Sequence, residues 1–268
     1  MATGRTKPKW TRVFANGYNI SGYGRSIGPL SVEYDEAELT TWTDTTRGYL
    51  RNIAQANLGT FNGVFDNTAT TGLHALLGAA GIIRTVIVAI GIRAEPTQGD
   101  PAFCGQFLQG AYQVQEDGGA VTVNIPWNGY SAEATTKLYP MSWGQLLHGN
   151  VTATGANTAV GFDNPTGAAT TNGGYFIYQL LSTTSGAGTV TVSVQDSATN
   201  LNDGAFANLA TPLSSGAIAY NALPAYGVVA MPPAPSGAAT TIRQYVRWQL
   251  AFAGGMDQCT FVSALVRG

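Results

Sequence analysis

The chain has 268 residues, enough for one large domain or two smaller ones, and its 44% hydrophobic content supports a sizeable core. Charged residues make up 10%, against ~25% in an average soluble domain. A net charge of −2 speaks against a dedicated binder of nucleic acid or of an anionic membrane surface. Sparse charge and weak self-repulsion suit a subunit inside a larger assembly, but they also mark stable secreted β proteins.

Residues 1–12, MATGRTKPKWTR, form a basic arm. Its Arg5, Lys7, Lys9 and Arg12 are not followed by an apolar core, so it does not read as a signal peptide. It is either a disordered terminus or an arm that docks on an acidic neighbour, with Trp10 to bury. Asn16-Gly17 is a hairpin signal and Gly28-Pro29 a second turn. The segment SVEYDEAELTTW (31–42) then places Glu33, Asp35, Glu36 and Glu38 on a stretch whose alternation predicts a strand. Such crowded carboxylates can serve a metal or a glycosidase pair. Without a His or a second carboxylate cluster, they better fit a solvated loop or a face presented to a basic partner. TDTTRGYLRN (43–52) reads as a polar loop carrying Asp44, Arg47, Tyr49 and Arg51.

Residues 58–90, LGTFNGVFDNTATTGLHALLGAAGIIRTVIVAI, predict strand, short helix, strand. Asp66, Asn67, Thr68, Thr70 and Thr71 offer capping oxygens before Leu73, Leu76, Leu77 and Ala80, which fall on one helix face. Gly81 is the expected C-cap, and the helix is too short to stand without packing on its flanking strands. A loop at 93–101 leads to β runs at 103–116 and 121–127, linked through a Glu116-Asp117-Gly118-Gly119 hairpin. Residues 13–130 thus supply enough strands, with one helix, to close a small sandwich or barrel.

Beyond Tyr130 the composition shifts. From 138 to 242 there is no Lys or Arg, and the acids are Asp163, Asp196 and Asp203 alone. TVTVSVQ (189–195) and IRQYVRWQLAF (242–252) alternate as half-buried strands, and several more short runs separated by turns point to a β-sandwich or jelly-roll-like module. The longest strongly apolar run is about ten residues, well short of the ~20 of a membrane helix. Cys104 and Cys259 are expected as free buried thiols, although a pairing is possible if their strands are neighbours.

The order N-G-Y-N-I-S-G-Y (16–23), an acidic strand, T-T-W-T-D-T-T-R-G-Y-L (40–50), L-G-T-F-N-G-V-F-D (58–66) and a short helix resembles tailed-bacteriophage virion proteins of the tail-tube type. The resemblance covers 13–127. It implies a β-barrel or sandwich with one packed helix, assembly into stacked hexameric rings, and a long loop, here 40–52, that reaches the neighbouring subunit. V-S-V-Q-D-S-A (192–198) and R-Q-Y-V-R-W (243–248) look like parts of the β modules appended to phage structural proteins.

Catalytic chemistry is thin. His74 and His148 stand apart, and no HExxH, GxSxG, GxxxxGK[ST] or CxxC motif occurs. G-F-D-N-P-T-G (161–167) and N-L-N-D-G (200–204) offer Asp163, Asn164, Asn202 and Asp203 to Ca²⁺, short of a dedicated loop's ligand count. Trp127, Trp143 and Trp248 could line a sugar-binding face, but aromatics in β proteins more often form core. The expectation is therefore a mainly β chain: arm 1–12, a tail-tube-like domain with flanking helix at 13–135, and a β-sandwich module at 136–268. It would be a non-enzymatic virion subunit, without cofactor or metal, assembled in the host bacterial cytoplasm. Its partners would be copies of itself in a ring or lattice and other virion proteins, not a specific nucleic acid sequence or a membrane. The candidate interface residues are Trp10, Arg12, Glu33, Asp35, Glu36, Glu38, Asp44, Arg47 and Tyr49. The alternatives are a capsid decoration protein and a carbohydrate-binding host-attachment module.

Overall fold

The computed structural model describes residues 7–38, 49–92, 94–129, 143–155, 162–163, 169–171, 173–200, 203–210, 212–231 and 241–267. For 34–38, 49–55, 162–163 and 203 it describes the backbone alone. The chain is mainly β, with one short α-helix among the described residues. The N-terminal strands are β1 (Thr11–Ala15), β2 (Tyr18–Asn19), β3 (Gly24–Gly28), β4 (Ser31–Glu38) and β5 (Tyr49–Val64). Helix α1 (Leu73–Leu77) precedes β6 (Ile83–Ile90), β7 (Pro101–Gln109), β8 (Gln113–Asp117) and β9 (Ala120–Gly129). Then come β10 (Trp143–Ala153), β11 (Phe162–Asp163), β12 (Gly174–Ser182), β13 (Thr189–Ser197) and β14 (Ala207–Asn208). The chain closes with β15 (Ile218–Ala219), β16 (Ala225–Met231), β17 (Tyr245–Ala253) and β18 (Cys259–Arg267).

Both expected hairpins form. Asn16-Gly17 joins β1 to β2 and Gly118-Gly119 joins β8 to β9, with all four residues at positive φ. The helix starts where its leucines predict but stops at Leu77, capped by Gly78 rather than Gly81. Side chains of the neighbouring strands take the carbonyls that a longer helix would bond internally. Gln109 Nε2 donates to Leu77 O at 2.6 Å and Arg84 Nη2 to Ala79 O at 3.3 Å. Leu73 and Leu77 are buried, so the helix covers one end of a β core.

Thirteen strands form one antiparallel sheet that branches at β7. One side of β7 pairs with β6 throughout; the other pairs with β9 near Phe107 and with β10 near Phe103. Following one branch, β1, β6, β7, β9, β5 and β3 curl around a core that includes Val13, Phe61, Val88, Phe107, Ile125 and Trp127. The curl does not close, because β3 and β1 share no ladder. Along the other branch β10, β18 and β12 fold back over β1 and β6, enclosing Phe14, Ile87, Cys104, Ile177 and Val262. The outer face of β10, β12 and β18 packs on a five-stranded sheet of β11, β17, β13, β14 and β15 through Leu147, Phe176, Val192, Leu250 and Phe261. Valines 190, 192 and 194 face that core, as their alternation predicts.

Where the second branch comes back to β1, a side chain replaces a ladder. Gln179 of β12 is fully buried. Its Oε1 accepts from Gly17 N at 2.8 Å, and its Nε2 donates to Thr85 O and Phe14 O at 3.0 and 3.2 Å.

Candidate functional site

Among the described residues, a groove opens between β1 and β3. Pro8 opens a single 3₁₀ turn, closed by Trp10 N donating to Lys7 O at 3.0 Å, and this turn sets the arm against the start of β1. Trp10 is half-buried, and its carbonyl accepts from Gly91 N at 3.0 Å. Arg12 Nη1 donates to Lys9 O and Thr11 O, both at 2.9 Å, and Nη2 forms an ion pair with Glu95. The edge of β1 that faces the gap is therefore closed locally. Val13 N donates to Ser21 Oγ at 2.7 Å and Val13 O accepts from Ile20 N at 2.9 Å.

The opposite wall is open. β3 pairs with β5 along one edge, and its other edge has no ladder partner among the described residues. The groove between the walls has a volume of about 540 Å³ and lies over Val13, Ile27, Leu30, Phe61 and Ile90. Lys7, Lys9, Arg12 and Arg25 line it. Arg12 is held by Glu95 and Arg25 reaches Asp117 at 3.5 Å. Lys9 Nζ lies 5.0 Å from the Trp10 ring centroid. Neither Lys7 nor Lys9 has a carboxylate within ion-pair distance among the described residues, so the rim presents uncompensated positive charge over an apolar floor.

The acidic strand starts at the end of this groove: Leu30 lines it and Ser31 begins β4. β4 pairs with β5 from Ser31 opposite Asn57 to Glu38 opposite Tyr49, with an irregularity between Tyr34 and Glu36. Residues 49–52, expected in a polar loop, are therefore strand; the β4 ladder fixes them. Before β5 reaches β9 at Asn57, its partner among the described residues is β4 alone, so the two strands run on as a ribbon about 25 Å long at ~3.3 Å per residue. Glu33 is exposed, with Ser31 Oγ donating to its Oε1 at 2.8 Å. Asp35, Glu36, Glu38 and Tyr49 sit on the ribbon backbone. Asp44, Arg47, Arg5, Asn164 and Asn202 lie outside the described residues.

Of the nine expected interface positions, Arg12 lines the groove, Trp10 closes the 3₁₀ turn beside it without lining it, and Glu33 lies at the root of the ribbon. Sequence reasoning missed Arg25 and Ile27, whose segment GRSIG has no periodicity to reveal it. It also missed Glu95, whose pairing with Arg12 spans 83 positions.

Other titratable groups are built into the packing. His148 stacks on Phe261 with ring centroids 3.9 Å apart, edge-on to Trp248 at 4.7 Å, and burial lowers its pKa to about 4. Cys104 and Cys259 are free and buried in different cores; burial raises both thiols, Cys259 to about 12. Burial also raises Asp196, opposed by the 2.8 Å bond from Arg243 N and the charges of Arg243 and Arg267. Of the aromatics weighed for sugar binding, Trp127 is buried and Trp248 packs on His148, whereas Trp143 is exposed.

No protein-family model matches the chain, and no curated protein sequence matches it. Among solved structures it is similar to a crystal structure of the SPP1 Dit protein (gp 19.1), described as a paradigm of the hub adsorption apparatus in phages infecting Gram-positive bacteria. The match covers 96% of this chain and 98% of that one, at 11% identity and a TM-score of 0.31. A likeness that loose supports no conclusion about role.

Proposed function

We propose that this chain is a non-enzymatic structural subunit of a tailed-bacteriophage virion that self-associates through its β4–β5 ribbon. The observation that carries the self-association is the ribbon itself. Both outer edges of the ribbon are unpaired among the described residues; an isolated two-stranded ribbon is at best marginally stable in water, and exposed strand edges invite pairing with another chain. A neighbouring copy that covers it satisfies both conditions. The sequence resemblance at 13–127 supports the virion assignment, with a ring or tube as the form of assembly. Low net charge and an open basic seam agree with an assembly role. In this reading, residues 13–135 build the assembly and 136–268 form an appended module joined to it through the shared sheet. Asp35, Glu36, Glu38, Asp44, Arg47 and Tyr49 would act on the ribbon side of the contact, and Trp10 and Arg12 on the seam side.

The test is electron microscopy and sedimentation of the purified chain, unaltered and with 34–54 replaced by a short Gly-Ser turn. Rings or tubes from the unaltered chain, and monomers from the shortened one, are the expected result. A shortened chain that assembles equally well refutes the ribbon's role. Discrete small oligomers that bind shells and never form rings would favour the decoration reading.

A further inference from the structure

Resting on that self-assembly reading, we infer that the open seam between β1 and β3 is the receptor for the ribbon: the acidic strand β4 of a second copy lies along it. Three independent features of the seam define its occupant. The free edge of β3 offers main-chain groups to an extended segment, as in recognition by strand addition. The exposed Lys7 and Lys9, lacking carboxylate partners among the described residues, call for acidic side chains. The floor around Ile27 and Leu30 calls for apolar residues interspersed with those acids.

Segment 31–38, SVEYDEAE, meets all three. It is extended, and it alternates Val32 and Tyr34 with acids. It also holds four of the chain's 15 carboxylates within six positions. It cannot serve its own seam, because Leu30 at the end of the groove leads directly into β4 and the strand departs from there along β5. Donor and receptor are thus different surfaces of one chain. Such a contact is heterologous and builds a ring if its rotation closes, or a filament if it does not.

Two charge-reversed full-length chains test this. One carries Lys7→Glu and Lys9→Glu, the other Glu33→Lys, Asp35→Lys and Glu36→Lys, which takes segment 33–38 from a formal charge of −4 to +2. Association is followed by sedimentation velocity over a concentration series, with circular dichroism and Tm establishing that each variant is folded. Each variant alone should associate at least roughly tenfold more weakly than the unaltered chain. An equimolar mixture should regain assembly, since every seam then meets a ribbon of opposite charge. The milder pair Lys7→Gln and Lys9→Gln should fall between. Variants that assemble alone as well as the unaltered chain overturn the assignment. So does a mixture no better than its components, which would mean that another segment or another protein occupies the seam. An unaltered chain that stays monomeric throughout would instead overturn the self-assembly reading on which this one rests.

Discussion

Gln179 does the work of a missing ladder. Both ends of its amide are used where β12 meets the β1–β2 turn, and nothing polar can replace them from solvent because the residue is fully buried. In Gln179→Leu the Gly17 N–H loses its acceptor and the Phe14 and Thr85 carbonyls each lose a donor, Thr85 O keeping its bond from Asn16 N. Each unsatisfied buried group costs about 1–3 kcal/mol, so the expected loss is about 2–4 kcal/mol, read as a lower urea midpoint at unchanged m-value. His148 makes a different prediction. Its Nδ1–H donates to Phe261 O at 3.0 Å, and burial holds its folded pKa near 4 against an ordinary 6.5. Above pH 6.5 the ring is neutral in the folded and the unfolded chain, and its contribution is intact. Between pH 6.5 and 4 the unfolded chain takes up a proton that the folded chain refuses. Stability therefore falls with pH across that window, by about 3 kcal/mol in all. Urea unfolding at pH 7, 5.5 and 4 should show this slope, and His148→Gln should flatten it.

At the scale of elements, β5 carries the architecture: it pairs with β3 and β9 in its second half and with β4 alone in its first. Gly59 marks the changeover. It has φ +66°, and a Cβ there would stand 2.3 Å from the Gly28 carbonyl carbon. Gly59→Ala combines left-handed strain with a backbone clash that cannot relax cheaply, and should cost about 2–4 kcal/mol. Gly118 is the control: at φ +58° with open space around it, Gly118→Ala should cost only about 1 kcal/mol. Thermal melts of the pair separate the clash from the strain. The β4–β5 pairing was half legible in the sequence. The alternation of SVEYDEAE gives the first strand, but 49–52 reads as loop because the glycine and arginines around it carry no strand signal, and only the pairing with β4 fixes it. Helix α1 was legible in its start and not in its end, because Gln109, 32 positions on, takes the Leu77 carbonyl and Arg84 of the next strand takes that of Ala79.

At the scale of the molecule, the two branches of the large sheet explain why so many strands are nearly uniformly apolar. β6, β12 and β18 are covered on both faces, by different cores. The same branching places strands from before and after residue 135 in one sheet. Among the described residues, one edge of β3 has no ladder partner, and the β4–β5 ribbon is rooted beside it.

The sequence by itself determined the mainly β character, both Gly-containing hairpins, the start of the helix and the acidic strand. Each of these follows from local periodicity or from a turn that only certain residues can make. Only the tertiary structure decided that the sheet stays open between β1 and β3, that Glu95 pairs with Arg12, and that Lys7 and Lys9 remain without carboxylate partners among the described residues. Those outcomes depend on which strand edges meet and on charges brought together across tens of residues, and no local pattern in the chain encodes either.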